Sequence, residues 1–364
     1  MTRALSQLTG FLAIFGLVVG VLGASPASAD DEEEGGGHVY TLTNATSGNS
    51  VLAFDRAENG TLKPTASVAT GGNGSGAGLG SQGAIIMSDN GKWLFAVNAG
   101  TNDISTFAVT DKGLTLKGRV QSGGTVPISL TTDGRVIYAL NSGTPANVTG
   151  FAVRHDGHLA AIPGSTQRLS GTAPAEVALS RSGVLVVTDK GSSTIETFVL
   201  DKNGAAGPSI SHTSHGQTPF GFAFGKRDQV FVSEAANSAA SSYIVGREGS
   251  LTLVSGSVRT TGQSAACWLV VTRNGRFAYT TNTGSDSISS FAIDKEDGSI
   301  KLLEAVAGGG PTHPTDVALN DNSKFLYVLG TGSIRAYKIG KHGALTPIAG
   351  APSVPAEAVG LAAR

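Results

Sequence analysis

One phrase recurs along this chain and restricts its fold more than any other feature. NGKWLFAVNAGTNDISTFAV (Asn90 to Val109) returns as DGRVIYALNSGTPANVTGFAV, as NGRFAYTTNTGSDSISSFAI and, more loosely, as NSKFLYVLGTGSIRAYKI. An aromatic marks each copy: Phe54, Phe107, Phe151, Phe198, Tyr243, Phe291 and Tyr337. Most intervals are close to about 46 residues, with one longer gap where GGNGSGAGLGSQG (71–83) is inserted. Seven units fill residues 38–364 and leave no room for a second domain.

Within a unit the pattern predicts four short strands. The last unit shows them best, as THPTDVALN, KFLYVLG, SIRAYKI and ALTPIAG. Alternation over four to eight residues, rich in Val, Ile, Phe and Tyr, is a strand signal. Hairpin residues separate the first strand from the second (SDNG, TDG, RSG, RNG, DNS) and the third from the fourth (AENG, DKG, HDG, KNG, REG, EDG, KHG). The 51 glycines suit so many tight turns. Four antiparallel strands at this period describe a propeller blade, so the expected fold is all-β, a seven-bladed propeller. A solenoid is the competitor, and the chain ends argue against it. HVYTLTN (His38 to Asn44) already matches a second strand, while PAEAVGL (Pro355 to Leu361) mimics PAEVAL (Pro174 to Leu179), an opening one. The C-terminal strand should therefore join the N-terminal blade and close the ring, which removes two exposed sheet edges.

The first 29 residues read as an export signal, with Arg3, the apolar run FLAIFGLVVGVLG and the small-residue site Ala27-Ser28-Ala29 before Asp30. The apolar run is shorter than a spanning helix needs. DDEEEGGG (30–37) reads as a solvated acidic linker. The mature protein is expected to be secreted, extracellular and monomeric, with no membrane attachment. A formal net charge of -1 and 15% charged residues provide no basic field for nucleic acid. Cys267 is the single cysteine, so no intrachain disulfide can form.

Alternating strand direction places every tight turn at one end of the ring. The second-to-third loops and the blade-to-blade connections fall at the other, the mouth, where a site held by a rigid scaffold is expected. Second strands end there with Asn98, Asn141, Asp189, Glu234 and Asn282; opening segments contribute Gln82, His215, Trp268 and His313. Glu234 and His313 are the candidate catalytic residues, as general base or proton shuttle. Gln82, Asn98, Asn141, Asp189, His215, Trp268 and Asn282 are the candidate substrate-binding residues. Glu176, Asp316 and Glu357 occupy matching positions in three opening segments. They fit either bonds to a neighbouring blade or a ring of oxygen ligands for a channel cation such as Ca²⁺. No dedicated metal motif and no cofactor are expected: GxSxG, Walker and HExxH patterns are absent from the sequence.

The SxDGRxxYxxN phrasing, the seven units and the closing strand resemble the seven-bladed propeller lactonase family. That family includes propeller-type 6-phosphogluconolactonase and fungal carboxymuconate cyclase. The resemblance implies His, Arg and Glu side chains at the channel mouth, where His313 and Glu234 fit. Arg56, Arg135, Arg154, Arg181, Arg227, Arg247, Arg273, Arg276 and Arg335 map to tight turns or strands, so a phosphorylated substrate would lack its guanidinium clamp. The implied activity is hydrolysis or isomerisation of an unphosphorylated lactone or similar sugar-like ligand. The alternative is a non-catalytic secreted propeller that binds a sugar, peptide or cell-surface partner.

Overall fold

The computed structural model describes residues 36–364. The expected signal (1–29) and nearly all of the acidic linker lie outside the described residues. The described residues form seven antiparallel sheets. In each, the first strand lines a central channel and the last faces solvent. The inner strands are Ile85–Met87, Pro127–Thr132, Pro174–Leu179, Pro219–Phe224, Ala266–Val271, Pro314–Leu319 and Val359–Ala363. Each meets the next in turn, and the seventh returns to the first. Blades are numbered from the N-terminus, so blade 1 holds residues 37–69 together with the C-terminal strand.

The ring closes as the repeat predicts. Val359–Ala363 pairs antiparallel with Gly37–Leu42, and His38 and Arg364 exchange backbone hydrogen bonds of 3.1 and 2.8 Å. The closing strand begins four residues later than PAEAVGL suggested, because Pro355 to Ala358 form a turn with a 3.1 Å bond from Ala358 N to Pro355 O. Blade 3 also departs from four strands: its outer edge is broken into Leu159–Ala161 and Gln167–Arg168.

Packing between blades explains the residues of the tight-turn end. The second strands of blades 3 to 7 are buried along their whole length, since each lies between two neighbouring sheets. Their tyrosines still satisfy their hydroxyls. Tyr138 Oη donates to Gly204 O (2.6 Å), Tyr279 Oη to Gly343 O (2.9 Å) and Tyr327 Oη to Gly60 O (3.0 Å), each in the third-to-fourth turn of the next blade. Those turns need glycine twice over. Gly60 has φ +85° and Gly343 φ +79°, and a Cβ on either would strike the ring of Phe325 or Phe277.

Four of the seven inner strands open in the same way. Val126, Thr218, Ala265 and His313 all take left-handed backbone (φ +54°, +58°, +56° and +50°) one residue before the strand. The N–H of each is held by the previous blade's second-to-third loop, through Asn102 Oδ1 (2.7 Å), Ser193 Oγ (3.1 Å), Ser238 Oγ (3.0 Å) and Asp286 Oδ1 (2.7 Å) respectively. A register shift follows directly in these strands and in Pro174–Leu179, and in Pro174–Leu179 and Pro314–Leu319 it is followed by an acid that lines the channel, Glu176 and Asp316.

Candidate active site

Two cavities occupy the ring axis, one at the mouth and one in the channel, and a plug separates them. The plug comes from the glycine-rich insertion. Its last residues turn down into the channel, where Gln82 Nε2 donates to Leu269 O (2.8 Å) and Leu269 N donates to Gln82 Oε1 (3.0 Å). Beside it, Trp268 Nε1 donates to Ser81 O (2.8 Å). Gln82 N also reaches Ala175 O (3.2 Å). Blade 2 is thereby stitched to blades 4 and 6 across the axis. The remainder of the insertion is strapped over the mouth by Asn44, which bonds Ser75 and Ala77 O, and by Lys190 Nζ, which donates to Gly80 O (2.7 Å).

The mouth cavity encloses about 340 Å³ between this strap, the blade 7 opening and the turn before the closing strand. Gly78 to Ser81 form one wall, Trp268 another, and His313, Thr315, Thr331 and Glu357 bring polar groups. His313 is exposed and its backbone is pinned by Asp286, so the imidazole is presented from a fixed stem. Trp268 is held by Ser81 and by an edge contact to Phe220, with ring centroids 5.0 Å apart. Behind the strap, Lys190 Nζ lies 5.1 Å from the Phe220 ring centroid, and burial pulls its pKa below the ordinary lysine value. Cys267, next to Trp268, is 8% exposed, and burial pushes its thiol up to about 11.

Among the expected site residues, His313 and Trp268 meet in this cavity, while Gln82 belongs to the plug beneath it. Glu234 lies at the same end of the ring but outside the cavity. It is fully buried: Ser241 Oγ and Ser257 Oγ (2.6 Å) both donate to its carboxylate, and Gly216 covers it so closely that a Cβ there would collide. Asn98, Asn141, Asp189 and Asn282 are likewise completely buried and hydrogen-bonded to the strands and loops around them; Asn98 also accepts from Asn49 of blade 1 and from Thr70, and Asn141 donates to Ser122 O. Asn98 donates to Asp103 and Ser105, Asn141 to Asn147, and Asn282 to Ser287 and Ser289. Asp189 accepts from Ala173 N and Ser192. These second-strand ends fasten the mouth loops. His215 is exposed on the blade 5 side, against Gly256, and lines neither cavity.

Of the three carboxylates aligned by sequence, only two share a position. Glu176 and Asp316 follow their bulges into the channel, whereas the turn at Pro355 to Ala358 lifts Glu357 into the mouth cavity. Glu357, which the sequence groups with Glu176 and Asp316, thus belongs to the mouth instead, and Lys190, behind the strap, is a mouth-end residue that the strand pattern does not single out. Arg119, Arg168 and Arg259 stand on exposed outer strands, and neither Arg nor Lys lines the mouth cavity among the described residues.

A search of curated proteins found no match. Among solved structures, the fold is similar to the periplasmic gluconolactonase PpgL of Pseudomonas aeruginosa, with 19% identity, a TM-score of 0.74, and 90% of this chain and 99% of that one covered. A protein from Lactobacillus plantarum gives 18% identity and a TM-score of 0.75 over the same shares. A candidate 6-phosphogluconolactonase of Bacteroides fragilis gives 19% and 0.71, over 93% of this chain and 100% of that one. At these identities the likeness establishes the fold. The family described as "Lactonase, 7-bladed beta-propeller" matches residues 32–163 and 185–359, which is most of the chain, and the protein belongs to that family.

Proposed function

We propose that this protein is an exported hydrolase of unphosphorylated lactones, acting in the mouth cavity. The observation that carries the reading is that His313, Glu357 and Trp268 line one partly open pocket. Lactone hydrolysis needs a base for water, donors and acceptors for ring hydroxyls, and an apolar face for the ring. His313 takes a proton from water as its oxygen attacks the carbonyl carbon. The ring C–O bond then breaks, and the leaving alkoxide recovers that proton to give a hydroxy acid. Glu357 accepts hydrogen bonds from substrate hydroxyls, and Trp268 supplies the apolar wall. A cavity without Arg or Lys in its lining favours a neutral ring over a phosphorylated one. The signal-like first 29 residues and the periplasmic gluconolactonase of similar fold support action outside the cytosol.

The test is base consumption at constant pH with five- and six-membered aldonolactones, phosphorylated and not. Turnover of the unphosphorylated compounds above the spontaneous rate supports the reading. A rate equal to buffer across the panel points instead to a non-catalytic propeller whose mouth binds a sugar or peptide.

A further inference from the structure

Below the Gln82 plug, the channel widens into a cavity of about 380 Å³ that runs to the tight-turn end. Near its top stand two carboxyl groups from different blades. Glu176 is 6% exposed and Asp316 is 1% exposed. Each has one oxygen engaged: Phe222 N donates to Glu176 Oε2 (2.6 Å), and Val317 N donates to Asp316 Oδ1 (2.7 Å). Asp316 Oδ2 is buried with no hydrogen bond of ordinary geometry among the described residues, and the Leu361 N–H of the closing strand faces the carboxyl. Both pKa values are raised by burial, and the charge of Asp316 raises that of Glu176 further. Backbone N–H groups pull each back in part.

An unpartnered carboxylate oxygen inside a protein is costly, and a second acid beside it makes ionisation costlier still. Among the described residues no cationic side chain relieves this pair. Arg364 also lines the cavity, but at its far end, where it bonds Gly91 O (3.3 Å) and lies 3.6 Å from Asp321. Asp321 is five residues beyond Asp316 along the chain, or roughly 16 Å if extended. Two electrostatically coupled carboxyl groups lining one cavity with room for water form, when ionised, an oxygen donor set of charge matching a divalent ion.

We propose that the channel binds a divalent cation of the Ca²⁺ class, held by Glu176 and Asp316 with water completing its coordination. Ca²⁺ tolerates irregular sets of six to eight oxygens, whereas Mg²⁺ demands a near-ideal octahedron that rigid inner strands cannot adjust to provide. The ion links blade 4 to blade 7 across the axis, beneath the stitch that Gln82 makes between blades 2 and 6. Its role is structural and does not depend on the chemistry of the mouth cavity.

The test uses the full mature chain, stripped with EDTA and dialysed, then titrated with CaCl₂ or MgCl₂ by calorimetry and thermal unfolding. One Ca²⁺ per chain should bind, and a hundredfold excess over Kd should raise Tm by roughly 4 °C. Glu176→Gln and Asp316→Asn should each weaken Ca²⁺ at least tenfold. In EDTA both should melt at or above the wild type, because a buried like charge has been removed. Calorimetry on the unaltered protein decides the matter even if a variant folds poorly. Absence of Ca²⁺ binding at millimolar concentration overturns the proposal, as does a response to Mg²⁺ alone. Binding that survives both substitutions places the ion elsewhere, as on the acidic run 30–34, and overturns it too.

Discussion

Gln82 and Leu269, 187 positions apart in the chain, exchange two hydrogen bonds across the central channel. The amide imitates a peptide group and completes a one-residue antiparallel bridge between blade 2 and blade 6. It converts an open tube into two separate cavities.

Gln82→Ala should therefore remove a structural tie before it removes a ligand contact. The Leu269 N–H and C=O lose their partner in a buried setting, which costs about 1–3 kcal/mol per unsatisfied group. Urea unfolding should show a loss of about 2–4 kcal/mol in stability. An unchanged midpoint would mean that water takes over both bonds.

Glu234→Ala should behave as a stability mutant. Its carboxylate receives the Ser241 and Ser257 hydroxyls under Gly216, out of reach of the mouth cavity. The expected loss is about 2 kcal/mol in urea unfolding, with lactone kcat per folded molecule within twofold of wild type. A fall in kcat of a hundredfold with normal stability would return Glu234 to the chemistry.

Cys267 should resist alkylation. With burial holding its thiol up to about 11, the native group stays protonated at pH 8. Iodoacetamide should label it at least a hundredfold more slowly than in urea. The sign of the pH dependence follows. The unfolded thiol ionises near pH 9 and the folded one near 11, so this group's contribution is complete below about 9 and lost as pH rises through about 11. Cys267→Ala should flatten that alkaline decline in unfolding free energy.

Deleting residues 351–364 removes the closing strand, uncovers the edge at Gly37–Leu42 and strips Val354, Ala358 and Leu361 from the core shared with Phe325 and Tyr327. The truncated chain should fail to give a cooperative thermal transition. A transition at the wild-type Tm would contradict closure by this strand.

The architecture was legible because it is written seven times. Alternation and turn residues appear in every copy, and the one displaced opening strand, PAEAVGL, is readable because it mimics PAEVAL, so blade number and ring closure follow from the pattern. The site is written once, and its residues depend on contacts between distant segments. His313 and Trp268 could be found because both open an inner strand. Glu234 and Glu357 are both acids at the mouth end, yet one sits beneath the glycine of a blade connection and the other on a turn that breaks register with PAEVAL. Neither the covering glycine nor the extra turn has a local signature. Lys190 has no signal of its own either: it follows Asp189 in what reads as an ordinary loop, and its partner Gly80 lies 110 positions away.

Lactone hydrolysis in the mouth cavity should depend on His313. The most direct measurement is base consumption on an unphosphorylated six-membered aldonolactone by wild type, His313→Ala and Glu357→Gln, with Tm recorded for each. The account predicts a 10²–10⁴-fold loss of kcat for His313→Ala, a mainly KM effect for Glu357→Gln, and Tm values within about 2 °C of wild type. Wild-type turnover that survives His313→Ala undiminished would contradict it.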